Sequence, residues 1–176
     1  MITQEELKAI LSYDQETGAF TWLSAHGPMP KGMTAGTLNK TGYIHIQING
    51  RRYGAHRLAW LWMTGEWPKR QIDHRNNIRN DNRWTNLRKA TKSQNCANSL
   101  TYKTNTTGFR GVSWHQRDQV YIAAIGGRVN RRHIGTFRSK EDAARAYDEV
   151  AKDIFGDFAT LNFPDQTDHS KGLIAP

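Results

Sequence analysis

Between Tyr43 and Ile48 the chain alternates strictly, with Ile44, Ile46 and Ile48 on one face of an extended segment and Tyr43, His45 and Gln47 on the other. Asn49-Gly50 follows, the strongest two-residue hairpin signal, because both residues of so tight a turn need a positive φ. "RRYGAH" then returns as the partner strand. After it the period changes. In "HRLAWLWMTG" Leu58, Leu61 and Trp62 recur at helical spacing, which predicts an inward face on a helix stopped by Gly65 and Pro68. Trp60, Trp62 and Trp67 are read as core and edge packing, the usual fate of bulky apolar side chains at that spacing.

Upstream, Leu7, Ile10 and Leu11 predict a short amphipathic helix over residues 3–12, with Thr3 and Glu6 spaced for a capping box. A turn at Thr17-Gly18, a strand and the loop "HGPMPKGMTAG" come next, and this extension reads as a lid on the following module. Downstream, "RQIDH" and "NLRKA" read as two strands joined by a long polar loop, with a helix capped by Thr91 and Gln94 behind them. From Asn105 three short strands lead into "SKEDAARAYDEVAKDIFG", a helix with Ser139 and Asp142 as its capping box. Its predicted buried stripe is Ala143, Tyr147, Val150 and Ile154, and Gly156 ends it. A helix laid over one face of a three-stranded sheet leaves the other face open. The domain reading is an extension at 1–38, a central module at 39–103, a second module at 104–163 and a tail at 164–176 without interpretable pattern.

Charge sharpens this picture. The net charge is +9, and residues 103–140 hold eight Lys or Arg (Lys103, Arg110, Arg117, Arg128, Arg131, Arg132, Arg138, Lys140) against the single acid Asp118. Acids then gather in 141–153, so the last module predicts a basic face suited to a polyanion and an acidic back. Cys96 stands alone, which excludes an intrachain disulfide and a zinc ribbon of paired cysteines and suggests a reducing compartment. No apolar run reaches membrane-spanning length, and the start lacks the order of a signal peptide, so a soluble intracellular protein without a membrane partner is expected.

The candidate chemistry lies in "QIDHRNNIRNDNRWTNLRKATKSQNCANS". Cutting a phosphodiester bond needs a hard cation, oxygen ligands to hold it and a base of near-neutral pKa. Asp73 and Asn95 supply the oxygens and His74 the base, while Asn86, where the loop rejoins its strand, is suited to tying loop backbone down.

"IDHRNNIRNDNRWTNLRKATKSQN", with "GYIHIQINGRRYGAHRLAWL" before it, resembles the HNH homing endonucleases of phages and mobile introns over about residues 40–100. The resemblance implies a ββα-metal (His-Me finger) module that holds one divalent ion, magnesium or manganese rather than zinc. It makes Asp73 and Asn95 the ligands, His74 the general base, and Asn86 the residue that holds the loop and orients His74. Asn77 stands where the family more often has Gly, and Asn tolerates the left-handed backbone such a turn needs. Arg79 and Arg83 are candidates for clamping phosphate. His56-Arg57 matches the family's upstream "HR", with packing or phosphate contact as its expected role.

The last module resembles the Apetala-type (ethylene-response-factor) DNA-binding domain over roughly 105–163, through "GFRGVSW", "IGTF", "AARAYDEVA" and "LNFP". That family lays its sheet in the major groove. The resemblance places Arg110, Gly111, Ser113, His115, Arg131, His133 and Thr136 toward DNA, with Arg117 and Arg128 on phosphates. Ser113, Ala124, Gly126 and His133 replace base-reading residues of plant members, so sequence preference should be relaxed.

The combined expectation is an α+β chain: an HNH nuclease module followed by a three-stranded antiparallel sheet packed on one helix. It would act as a monomer on double-stranded DNA in the cytoplasm of a bacterial host cell. A non-enzymatic DNA-binding regulator with an HNH scaffold, an RNA-processing nuclease and a protein-binding sheet stand beside it as alternatives.

Overall fold

The computed structural model describes residues 1–99, 105–127 and 130–164. Lys103, Arg128 and the tail from 165 onward lie outside the described residues. The fold mixes helices and sheets and divides into two compact units, Met1–Thr91 and Lys92–Pro176.

In the first unit α1 (Gln4–Ile10) starts on Thr3, whose hydroxyl accepts from the Glu6 N–H at 3.2 Å while the Glu6 carboxylate accepts from the Thr3 N–H at 2.9 Å. The capping box of the sequence reading is therefore formed. The helix stops two residues earlier than predicted, because Leu11 turns extended and opens β1 (Leu11–Tyr13). That strand pairs antiparallel with β2 (Phe20–Trp22), placing Tyr13 opposite Phe20. A partner strand across a tight turn outweighs one more turn of a short helix.

A second sheet has the order β3-β4-β5, from Thr37–Leu38, Ile44–Ile48 and Arg51–Gly54. Asn49 and Gly50 both take positive φ, 48° and 75°, as their hairpin turn demands. Next comes α2 (Ala55–Thr64), ended by Gly65 at φ 77°, with Leu58 and Leu61 fully buried. Last is the antiparallel pair β6 (Gln71–His74) and β7 (Leu87–Ala90), joined by a long loop that ends in a 3-10 turn at Trp84–Asn86. One apolar cluster joins most of these elements, from Leu7 and Leu11 through Ile46, Ile48, Leu58 and Leu61 to Ile72 and Leu87, while β3 stays at the surface. The amino-terminal extension is thus part of the unit's core.

The second unit begins with α3 (Lys92–Asn98). Three antiparallel strands follow, β8 (Val112–His115), β9 (Val120–Ile125) and β10 (Arg132–Phe137), with β9 in the middle. Then comes α4 (Lys140–Phe155), whose cap Ser139 accepts from the Asp142 N–H at 3.3 Å. Val112 and Ala123 of the sheet share a buried cluster with Ala143 and Ala144, and Ile125 shares another with Tyr147 and Ala151. The buried stripe therefore differs from the predicted one. Ile154 is 47% exposed, and Asp148 is buried on the inner face, where its carboxylate accepts from the backbone N–H groups of Asn162 and Phe163 at 2.8 Å each. A carboxylate that meets several N–H donors can outweigh the apolar preference of a helix face. Among the described residues no helix is long and apolar enough to cross a membrane.

Gly111 has φ 73°, and a methyl group on it would overlap the Tyr147 ring. Gly111→Ala combines a strained φ with overpacking, so it should destabilise the second unit by about 3 kcal/mol. Urea unfolding followed at the indole N–H NMR signal of Trp114, the tryptophan of the second unit, measures this, and an unshifted midpoint would show that the ring gives way freely.

Candidate functional site

The polar centre of the first unit lies at the end of β6. Ile72 anchors the strand in the core, and Asp73 and His74 beside it are each only 4% exposed. Strand register puts Asp73 directly opposite Arg88, whose Nε donates to Asp73 Oδ2 at 2.8 Å in a pair that is buried on both sides. Two buried charges are tolerated only when they meet with good geometry, as these do.

Burial holds the His74 pKa below the ordinary imidazole value, against the opposing pull of an Asn82 hydrogen bond and the Asp73 and Asp81 charges. The ring is therefore neutral near pH 7. Its Nε2 lies 3.2 Å from Asn82 Oδ1, and Asn82 Nδ2 donates to the Asn80 carbonyl at 3.3 Å. Since the amide oxygen can only accept, Nε2 carries the ring proton and Nδ1 keeps the lone pair. Asn82 itself is 1% exposed.

The loop between the strands is closed by its own amides. Asn86 Oδ1 accepts from the Asn76 N–H at 3.0 Å, and Asn86 Nδ2 donates to the Asp81 carbonyl at 2.7 Å. Asn76 Nδ2 reaches Asp81 Oδ2 at 2.6 Å, and Asn77 takes the left-handed conformation at φ 63°. Asn86 thus pins loop backbone, while the amide oxygen that accepts from the His74 ring belongs to Asn82.

The two loop arginines are held differently. Arg83 grips Asp81 with both Nε (2.8 Å) and Nη2 (2.5 Å), which lowers the Asp81 pKa. Arg79 donates to the Thr41 carbonyl at 3.0 Å and lies over the Tyr43 ring at 5.3 Å. Tyr43 stands 5.9 Å from the His74 ring and 5.2 Å from His56, and the His56 and His74 rings meet edge to face at 5.4 Å. Burial, with His74, Arg57 and His45 around it, drives His56 down to about 3, and its Nδ1 is buried without a hydrogen-bond partner. Gly54 makes room for that ring, since a side chain there would press into it.

Asn95, the other expected ligand, is half-buried on α3 of the second unit. Among the described residues no three or more His, Cys, Asp and Glu side chains gather as a metal cage. The oxygen chemistry at Asp73 suits a hard divalent cation, and Arg88 occupies one of the two carboxylate oxygens.

On the open face of the second unit's sheet, Ser113, His115, Arg131 and His133 line a groove of about 330 Å³ together with Trp114 and Ile122. Arg131 Nη2 reaches Ser113 Oγ at 3.2 Å, Thr136 Oγ1 lies 3.3 Å from His133 Nε2, and exposed Arg117 flanks Asp118. Two expected DNA-facing residues turn inward. Arg110 donates to the Tyr147 hydroxyl at 3.0 Å, to the Cys96 carbonyl at 2.6 Å and to the Ser99 carbonyl, and Gly111 lies against Tyr147.

Arg88, Asn82, Tyr43 and the packing of His56 on His74 escaped the sequence reading. Strand register pairs Arg88 with Asp73, but nothing local singles out Asn82 among Asn76, Asn77, Asn80, Asn82 and Asn86.

Residues 53–97 match the HNH endonuclease family model. A protein of Acanthamoeba polyphaga mimivirus named as an uncharacterized HNH endonuclease is 30% identical over 127 residues, which are 71% of this chain and 65% of the relative. Two Arabidopsis thaliana proteins match shorter stretches. Dehydration-responsive element-binding protein 2C is 50% identical over 42 residues (24% of this chain, 12% of that protein), and the putative dehydration-responsive element-binding protein 2H is 42% identical over 60 (33% and 36%). The chain thus spans less than two thirds of the length of each.

The neutral burial of His56 has a pH signature. Its folded pKa is about 3 against about 6.5 for a free imidazole, so the unfolded chain binds the extra proton between those values. This contribution is fully present above pH 6.5 and is lost as pH falls toward 3, on the order of 5 kcal/mol in total. Urea midpoints at several pH values should fall less steeply on acidification in His56→Phe than in wild type, and equal slopes would refute the assignment.

Proposed function

We propose that this chain is a divalent-metal-dependent HNH endonuclease that binds double-stranded DNA and hydrolyses a phosphodiester bond, as a homing enzyme of a phage or mobile element would. One observation carries the reading: within the segment that matches the HNH model, a buried neutral imidazole held by Asn82 sits beside a buried carboxylate.

His74 Nδ1 accepts a proton from water as the resulting hydroxide attacks phosphorus and the 3′ oxygen leaves. Asn82 keeps the other nitrogen protonated throughout, so the ring receives that proton at one atom only. Asn86 holds the loop on which Asn82 depends. Asp73 would hold a divalent cation, magnesium or manganese, with Asn95 as the second ligand on the strength of the sequence resemblance alone. When bound, such a cation polarises the phosphate and stabilises the negative charge that develops on it. Arg79, stacked on Tyr43 beside His74, is the loop cation assigned to the neighbouring phosphate. The groove of Ser113, His115, Arg131 and His133 is assigned to the DNA major groove, with Thr136 and Arg117 at its margins.

Two experiments test this. On supercoiled plasmid with magnesium, His74→Ala should slow nicking or linearisation by roughly 10²–10⁴-fold, retain DNA in a gel shift, and leave the EDTA blank unchanged. A variant as fast as wild type would remove His74 from the chemistry. Separately, Arg131→Ala should weaken DNA retention and shorten the slope of log affinity against log salt by about 0.9, the share of one phosphate. An unchanged slope would move the docking face elsewhere.

A further inference from the structure

The turn between β1 and β2 is closed by its own hydrogen bonds. Asp14 Oδ1 accepts from the Glu16 and Thr17 N–H groups at 2.9 and 3.3 Å, and Asp14 O accepts from the Gly18 N–H at 2.8 Å. This closed turn meets the segment 82–84 at three points. The Tyr13 hydroxyl donates to the Asn82 carbonyl at 2.6 Å, and the Trp84 N–H donates to the Gln15 carbonyl at 3.0 Å. Gly18, at φ 76°, lies so close to the backbone at the Asn82–Arg83 junction that a Cβ would overlap it.

Those contacts fix the backbone of Asn82, whose side chain reaches around to His74 Nε2. We propose that the amino-terminal hairpin is a positioning element for the reaction: Tyr13, Gln15 and Gly18 hold Asn82 in place, and Asn82 in turn sets the tautomer and rotation of His74. The proposal rests on the reading of His74 as the base. Asn82 is otherwise a loop residue, and loop backbone drifts unless something rigid is laid against it. A shift of a few tenths of an ångström would lengthen a contact that already stands at 3.2 Å and weaken the preference it gives for a proton on Nε2. Burial raises the Tyr13 pKa, with the Asp14 and Asp81 charges adding to it, so the phenol remains a donor across the working range.

The test uses the full chain with three substitutions. Tyr13→Phe removes only the hydroxyl and keeps the ring that packs on Phe20 at 4.8 Å. Gly18→Ala pushes on the Asn82 backbone, and Asn82→Leu removes the acceptor. Plasmid cleavage is measured for kcat and KM, and the imidazole nitrogens of His74 are read by nitrogen-15 NMR in the absence of DNA. Wild type should show the tautomer protonated at Nε2. Tyr13→Phe should lower kcat by roughly tenfold with KM unchanged, and Asn82→Leu by more, both with a mixture of tautomers. Gly18→Ala should follow Asn82→Leu where it folds, and Tyr13→Phe carries the test where it does not.

A wild-type kcat in Tyr13→Phe, or a lowered kcat with the His74 tautomer unchanged, overturns the proposal, the latter leaving only a structural brace. The NMR readout needs no cleavage. Loss of the tautomer preference in Tyr13→Phe together with full activity of His74→Ala would keep the brace and refute the base.

Discussion

At 4% exposure the Asp73 carboxylate stands where an uncompensated charge would cost several kcal/mol, and the β6–β7 pair answers it with Arg88 directly across the ladder. Much follows from that one pairing. It fixes the register, because a slip of one residue would turn Asp73 away from the guanidinium and carry Ile72 and Leu87 out of the core. With the register fixed, His74 is opposite Leu87, and the loop must leave and return at set points. The pair adds less to net stability than its geometry suggests, since desolvating both ions offsets much of their attraction. Its contribution is to make alternative pairings costly.

The loop then faces the same constraint at smaller scale. Asn82 and Asn86 are buried, and each amide must find partners or lose on the order of 1–3 kcal/mol. Asn86 finds them in the Asn76 N–H and the Asp81 carbonyl, Asn82 in the His74 ring and the Asn80 carbonyl. A loop built this way moves as a block, which suits a site whose ring nitrogens must keep distinct roles. The imidazole stays uncharged for a related reason: with His56 and Tyr43 packed around it, protonation would bury another charge.

Features decided within a few residues were legible in the sequence. The Thr3 and Ser139 caps, the Asn49-Gly50 turn and the left-handed Asn77 each follow from local chemistry that no distant contact overrides. What was not legible depends on partners far along the chain. Leu11–Tyr13 leaves the helical pattern because Phe20–Trp22 arrives beside it, and Ile154 is exposed because the buried face of α4 closes instead over Asp148 and the returning Asn162 and Phe163. At the candidate site, the residue types at 73, 74 and 86 pointed to the chemistry. The orienting contact from Asn82 could not be picked out, since five asparagines share the segment and only the approach of residues 13–18 distinguishes one of them.

The arginines show the same limit from another side. A count of positive residues treats every guanidinium as available to phosphate, yet Arg88 is committed to Asp73, Arg83 to Asp81, and Arg110 to two backbone carbonyls and a tyrosine hydroxyl. Carbonyl groups leave the charge of Arg110 intact but occupy its donors, so it contributes to the long-range field and not to close phosphate contact. Asp73 and Asp81 cancel the other two even at long range. Attraction of the chain to a polyanion and its grip on individual phosphates are therefore set by different subsets of the same residue type. The exposed Arg117 and the groove-lining Arg131 belong to the second subset, and the fold, through what it buries, does the sorting.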